Sequence, residues 1–170
     1  SEAPDLWGRR FDSVSICLSK GLGAPAGSVL VGSRDLIHEA RRVRKRLGGG
    51  MRQAGILAAA CMHALDHHVQ HLPDDHARAE RLGAALRKHP SVMEVMPVTT
   101  NIVIATLRSD LTVKAWLEEL RSKGVLASAF GPGMVRMVTH FDVDGKDLED
   151  AIAEEKSRLE ATAGMTSDQA

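Results

Sequence analysis

An apolar segment at residues 12–19 ends directly at Lys20, and a glycine-rich loop at residues 21–27 follows it. The segment is short and partly alternating, which predicts a buried strand. The loop contains three glycines and one proline, which is typical of a chain with unusual backbone conformations. A second short strand is predicted at residues 28–32. We therefore expect Lys20 to lie at the end of a strand within a sheet.

Helices and strands alternate along the rest of the chain, which predicts an α/β fold. Pro73 and the two aspartates after it indicate a boundary between two domains, residues 1–72 and residues 73–170. The second is expected to be a small domain in which helices cover a short sheet. The predicted helices are 33–47, 53–72, 75–89, 112–123 and 144–159, and the further strands are 92–98, 101–107, 125–130 and 134–140.

Two of these helices have apolar residues at helical spacing, and Ser33 is a suitable N-cap for the first of them. The residues at helical spacing in the first helix are Leu36, Ile37, Ala40, Val43 and Leu47, and the residues expected to face inward in the helix at 75–89 are Ala77, Leu82, Ala85 and Leu86.

Charge and composition limit the possible partners. The 22 basic and 22 acidic residues give a net charge of zero, which argues against a general nucleic-acid binder. The longest apolar run, near residues 55–62, is much shorter than the ~20 residues of a membrane helix. Cys17 and Cys61 form no CxxC pair, which favours a reducing compartment. We expect a cytoplasmic protein with no nucleic-acid or membrane partner.

Lys20 is the first candidate for chemistry. A lysine at a strand end among small residues can be partly desolvated, which favours a neutral, nucleophilic amine. Such an amine can form a Schiff base with an aldehyde cofactor. The alternative is a lysine that extends from the strand end into solvent, and spacing alone favours that alternative.

Arg52 is the second candidate. It follows the glycines at 48, 49 and 50 and lies near the expected start of the next helix. Helix N-terminal amides and a guanidinium together suit a phosphate. The alternative is a helix C-cap followed by a turn and a surface arginine.

Arg136 is the third candidate, in the predicted strand 134–140. Side chains alternate along a strand, so Arg136, Val138 and His140 share one face, while the other face carries Val135, Met137 and Thr139. An arginine that lines a cleft commonly binds a carboxylate in a bidentate way. The alternative is an arginine on a solvated sheet face.

Histidines are frequent around residue 67, with His63, His67 and His71 spaced four apart and His68 and His76 nearby. A pair at this spacing can hold zinc, but no HExxH pattern accompanies it, and we expect no metal site. For His140 we expect a structural hydrogen bond rather than a catalytic role.

Three separated motifs resemble those of the low-specificity L-threonine aldolases. They are DSVSICLSKGLGAPAGSVLVG at 12–32, LGGGMRQAG at 47–55 and RMVTHFD at 136–142. The resemblance covers residues 12–153. These aldolases are lyases that depend on pyridoxal phosphate and have the fold type I, aspartate aminotransferase-like architecture.

The resemblance implies a role for each candidate. Lys20 would form the Schiff base with pyridoxal 5'-phosphate, Arg52 would bind the cofactor phosphate, and Arg136 would bind the substrate carboxylate. Residues 1–72 would be the C-terminal part of the large cofactor-binding domain with a bridging helix. The implied reaction cleaves L-threonine or L-allo-threonine to glycine and acetaldehyde, in a homo-oligomer that is a dimer or a tetramer.

Only 19 residues precede Lys20. In this family the acid that pairs with the pyridinium nitrogen, the histidine that stacks on the ring and most phosphate ligands precede the lysine strand. We therefore expect the chain to be the C-terminal half of the enzyme and inactive alone. Two alternatives stay open: another fold type I lyase or hydroxymethyltransferase-like enzyme, and a non-catalytic assembly or binding module.

Overall fold

The computed structural model describes residues 4–143, 145, 146 and 149. The chain forms two compact units, Ser1–Gln70 and His71–Ala170. Among the described residues, no helix has the length and hydropathy that crossing a membrane requires.

The first unit contains a β-hairpin and three helices. Strands β1 and β2 are antiparallel, with Ser13 opposite Gly32 and Cys17 opposite Ser28. Ser33 caps the second helix as predicted, because its hydroxyl accepts a hydrogen bond of 3.3 Å from the Leu36 amide. The elements are α1 (Pro4–Gly8), β1 (Ser13–Cys17), β2 (Ser28–Gly32), α2 (Arg34–Arg46) and α3 (Gly55–His67), with a short 3₁₀ helix (Val69–His71) after them.

Most apolar side chains of the first unit are exposed, which corrects one prediction. The strand expected to be buried at residues 12–19 is mostly exposed: in β1 only Val14 is half-buried, β2 is exposed throughout, and Leu18, just after β1, is the one buried side chain of the segment. The apolar stripe of α2 is also open: no residue of this helix is buried, and Val43 and the following Leu47 are 47% and 82% exposed. The unit buries only a small group, Leu18, Ala24 and Ala64, with Leu22 and Cys61 against it.

Up to residue 143, the second unit is a four-stranded antiparallel sheet with two α-helices. The strand order is β3-β4-β6-β5, and every neighbouring pair is antiparallel. The strand predicted at 125–130 is reduced to two residues, and the helix predicted at 144–159 lies almost wholly outside the described residues. The elements are α4 (Leu72–Leu86), β3 (Val92–Val95), β4 (Ile102–Leu107), α5 (Val113–Ser122), β5 (Ser128–Ala129) and β6 (Met134–Val138).

One face of this sheet packs on α4 and α5 to form the core. The predicted alternation of β6 is confirmed, because Val135 and Met137 are buried in that core while Arg136 between them is not. The prediction for α4 is wrong at Ala77, which is exposed. A helix advances by 100° per residue, so the buried stripe of α4 follows a spacing of four, three and four residues instead: Asp75, Ala79, Leu82 and Leu86.

A hydrogen-bonded clamp joins the end of β6 to the start of α4. The Thr139 hydroxyl donates to the Asp75 carbonyl at 2.7 Å, and the Thr139 amide donates to the Asn101 carbonyl at 3.0 Å. The Asn101 side-chain amide donates back to the Thr139 carbonyl at 2.8 Å. The Asp75 carboxylate is buried and is paired with Arg78. The strand that carries Arg136 is therefore fixed at its C-terminal end.

Thr139→Val should lower the free energy of unfolding of the second unit by about 1–2 kcal/mol, since it keeps the shape but removes a buried hydroxyl donor. Thr106→Val is the matched control, because the Thr106 side chain has no hydrogen bond among the described residues and should change stability by about 0.5 kcal/mol at most. Native-state hydrogen exchange of the β4 and β6 amides measures both. Equal effects of the two substitutions would contradict the clamp.

Candidate active site

Lys20 lies in a tight turn that begins just after β1. The Lys20 carbonyl accepts a hydrogen bond of 2.8 Å from the Gly23 amide, and the Leu18 carbonyl accepts one of 3.0 Å from the Ala24 amide. The Lys20 side chain is exposed and makes no ion pair or hydrogen bond within the part of the chain that the structure describes. The partial desolvation that a strand-end lysine can have is thus not seen at Lys20, since its side chain is exposed in the described part of the chain.

Apolar packing holds this turn on both sides of Lys20. Leu18 and Ala24 are 1% and 7% exposed and pack with Ala64 of α3, which is 1% exposed. Gly23 has a φ of +69°, a left-handed conformation that suits glycine and lets the chain reverse at this point. The turn is therefore fixed to α3 while the Lys20 amine stays open.

Two polar contacts add to this packing. The Cys61 thiol of α3 donates to the Ala26 carbonyl at 3.4 Å. His68, just after α3, places its ring Nδ1 2.6 Å from the Leu22 carbonyl oxygen. Sequence reasoning missed both partners of the turn. The signal that could have found them is the alanine content of α3, since small side chains let another segment approach a helix closely.

The glycines before Arg52 form the C-terminal cap of α2. The Gly48 amide donates to the Lys45 carbonyl at 3.2 Å and the Gly49 amide donates to the Arg44 carbonyl at 2.8 Å. Together with the φ of +83° at Gly48, this is a Schellman motif. The alternative interpretation, a helix cap followed by a turn, is confirmed for these glycines.

Arg52 lies in the turn before α3 and not in the helix, which begins later than predicted. Its side chain is exposed. The N-cap of α3 is Ala54, and no side chain caps the first turn of this helix. The Ile56 amide donates to the Gln53 carbonyl at 3.4 Å, but no side chain caps the first turn, and an uncapped helix start that follows an exposed guanidinium suits an anion.

Arg136 lies in the middle of β6, between Ile104 of β4 and Ser128 of β5. It is on the sheet face opposite the core and is half-buried. Its Nε atom is buried and has no hydrogen-bond partner among the described residues. A buried guanidinium nitrogen without an acceptor is costly, and a bound carboxylate would supply the missing acceptor.

The three predicted residues are divided between the units. Lys20 and Arg52 lie in the first unit and Arg136 lies in the second. Lys20 and Arg52 do not share a hydrogen bond or an acidic partner in the described part of the chain.

The histidines form ring contacts rather than a ligand cluster. The His63 ring lies 4.4 Å from that of His67 and 5.5 Å from that of His68, measured between centroids. Within the described residues, no group of three or more side chains could hold a metal ion. The structural hydrogen bond expected for His140 is confirmed, since its Nδ1 accepts from the Asp142 amide at 3.3 Å.

Comparison with known proteins identifies the family. The sequence model of the beta-eliminating lyases matches residues 3–110. The chain belongs to this family. It is 44% identical over 142 residues to the low specificity L-threonine aldolase of Escherichia coli O157:H7, which covers 84% of this chain and 41% of the relative. It is 40% identical over 140 residues to low-specificity L-threonine aldolase 1 of Arabidopsis thaliana, which covers 81% of this chain and 39% of the relative.

These matches confirm the resemblance to the low-specificity L-threonine aldolases. The chain spans about two-fifths of the length of the curated relatives it matches.

Solved structures show the same fold at low sequence identity. Sphingomonas wittichii serine palmitoyltransferase has a TM-score of 0.72 at 18% identity, covering 91% of this chain and 41% of that chain. N-acetylornithine aminotransferase of Stenotrophomonas maltophilia K279a has a TM-score of 0.64 at 18% identity, and the match covers 94% of this chain and 43% of the aminotransferase chain. The predicted α/β, fold type I class is thus confirmed.

Gly48→Ala should lower the free energy of unfolding of the first unit by about 1 kcal/mol, because alanine is strained at the positive φ of the cap. Gly55→Ala is the control: a Cβ there meets open space, and the better helix propensity should raise stability by about 0.5 kcal/mol. Urea denaturation followed by circular dichroism measures both. Loss of stability in both variants, or in neither, would contradict the assignment of Gly48 as the cap.

Proposed function

We propose that this chain is the lysine-bearing part of a pyridoxal phosphate-dependent carbon–carbon lyase that cleaves L-threonine or L-allo-threonine to glycine and acetaldehyde. The observation that carries the proposal is the open Lys20 amine on a turn that is itself packed and hydrogen-bonded. The membership of the beta-eliminating lyases and the names of the relatives support it.

The residues present fit the cofactor. An exposed primary amine on a fixed turn suits an aldehyde, since the amine can reach the carbonyl carbon without unfolding its own backbone. An exposed guanidinium beside the uncapped start of α3 suits a phosphate. Lys20 would therefore hold the aldehyde carbon and Arg52 the phosphate. When bound, pyridoxal phosphate supplies a conjugated ring that accepts the electron pair released as the Cα–Cβ bond breaks.

Arg136 would bind the carboxylate of the amino acid. Its neighbours on β4 and β5 hold the backbone on both sides, so the guanidinium starts from a fixed position. Two parallel N–H groups can bond both carboxylate oxygens, which orients the amino acid as well as binding it. The orphan Nε supports this role, because a carboxylate would give this atom an acceptor.

The rest of the site would come from outside this chain. In this proposal residues 1–72 are the C-terminal part of the large cofactor-binding domain with its bridging helix, and residues 73–170 are the small C-terminal α/β domain. The exposed apolar surface of the first unit supports this, since hairpin side chains such as Val29, Leu30 and Val31 need a covering surface. We place the enzyme in the cytoplasm as a dimer or tetramer, in which Arg52 can serve its own or the neighbouring subunit.

A second candidate is a β-eliminating activity on an amino acid with a leaving group at Cβ, which the family name favours. The same three residues would serve it, since both reactions need a bound carboxylate and the same cofactor. Release of acetaldehyde from threonine identifies the aldolase, and release of pyruvate from a β-substituted alanine identifies the eliminating lyase.

Incubation of the chain with pyridoxal phosphate, followed by borohydride reduction and peptide mapping, should label Lys20. Lys20→Ala should lose that label, and Lys45→Ala, which alters an exposed lysine of α2, should keep it. A label spread evenly over the exposed lysines would contradict the assignment of Lys20.

Arg136→Lys, introduced into the complete enzyme, should raise the KM for threonine about tenfold to hundredfold. The reason is that lysine cannot form the bidentate pair and a charge-assisted contact is worth about 1.5–3 kcal/mol. Cofactor affinity should stay unchanged. Arg121→Lys on the exposed surface of α5 is the control and should change neither quantity. A fall in cofactor affinity with an unchanged KM would show that Arg136 has another role.

A further inference from the structure

His68 contacts the turn that carries Lys20. Its Nδ1 atom lies 2.6 Å from the Leu22 carbonyl oxygen, although 46 positions separate the two residues in the chain. The turn also passes close to the ring at Gly23, where an added Cβ would lie 3.6 Å from the same Nδ1 atom. The contact is therefore a close approach of the turn backbone to one imidazole edge.

The direction of this hydrogen bond follows from its acceptor. A carbonyl oxygen can only accept, so Nδ1 must carry the proton and donate it. In a neutral imidazole this selects the Nδ1–H tautomer. The His63 ring meets the His68 ring edge-on, with 5.5 Å between the ring centroids.

Apolar packing holds Leu22 less tightly than it holds Leu18 and Ala24. Leu18 and Ala24 anchor the two ends in the small core of the first unit, whereas Leu22 is only half-buried at its margin. The Gly23 amide bonds to the Lys20 carbonyl at 2.8 Å, so a shift of the peptide between Leu22 and Gly23 would move the Lys20 backbone with it. The His68 contact fixes that peptide.

We propose that His68 is a positioning residue for Lys20: its Nδ1–H donates to the Leu22 carbonyl and holds the turn in the conformation from which the Lys20 amine captures an aldehyde. The reactive role of Lys20 rests on the proposed function. The position of the turn is a property of the first unit alone, so the two can be tested separately.

The test uses the full 170-residue chain and pyridoxal phosphate itself as the probe. His68→Asn is the conservative variant, because the asparagine amide places an N–H close to the position of Nδ1. His68→Gln places its amide beyond that point, and His68→Leu has no donor. His67→Leu is the control, since His67 is exposed and its ring contact is with His63.

We measure the pyridoxal phosphate concentration at which half of Lys20 is trapped by borohydride, and the exchange rates of the Gly23 and Ala24 amides. The half-trapping concentration and the two exchange rates should each rise about threefold to tenfold in the Leu and Gln variants, which is the effect expected from the loss of one hydrogen bond. Both should stay within about twofold of the original chain in the Asn variant and in the His67 control. If the Leu variant does not fold, the Gln variant replaces it.

Nitrogen-15 NMR of the His68 imidazole identifies its tautomer, which a general packing role would leave unchanged. Neutral His68 should be protonated at Nδ1, whereas an unconstrained histidine favours the proton at Nε2. An Nε2–H tautomer, unchanged amide exchange in the Leu and Gln variants, or failure of the Asn variant to restore the turn would overturn the proposal. Absence of any Lys20 label in the original chain would instead overturn the proposed function, while amide exchange and the tautomer would still decide the role of His68.

Discussion

The position of the Lys20 backbone depends on the packing of Leu18 and Ala24 against Ala64. Full burial of a leucine side chain contributes about 1.5–3 kcal/mol of stability. Leu18 makes this contribution at the point where the chain leaves β1. Because both anchors lie close to Lys20, the backbone of the lysine is held while its amine is left open. Ala64 matters for its size, since a larger side chain on α3 would keep the turn away from the helix.

The two units differ in how much apolar surface each buries by itself. The second has a continuous core in which Trp116 and Leu86 lie between the helices and the sheet, and its polar clamp at Thr139 closes one end. The first buries little beyond the lysine turn, and its hairpin and α2 expose apolar surface. This contrast fits a chain that spans about two-fifths of its curated relatives, because a large apolar surface indicates a missing neighbour.

Local signals in the sequence predicted local structure well. The Ser33 cap, the glycine cap at Gly48 and the alternation around Arg136 depend on near neighbours in the chain, and all three are found. Burial was predicted less well, since an apolar pattern shows which face can be covered and not whether a partner is present. Val43 in α2 illustrates this: its spacing is helical and its side chain is exposed. The His68 contact with Leu22 was beyond sequence reasoning, because no local pattern joins two residues so far apart.

The packing of the lysine turn on α3 fixes the backbone around Lys20. Amide hydrogen exchange of the unmodified chain, resolved by residue, tests this directly. The Leu18 and Ala24 amides, which bond to the Gly27 and Leu18 carbonyls, should exchange as slowly as the amides in the middle of α3. Exchange of these two amides at the rate of an unstructured chain, while α3 stays protected, would contradict the claim.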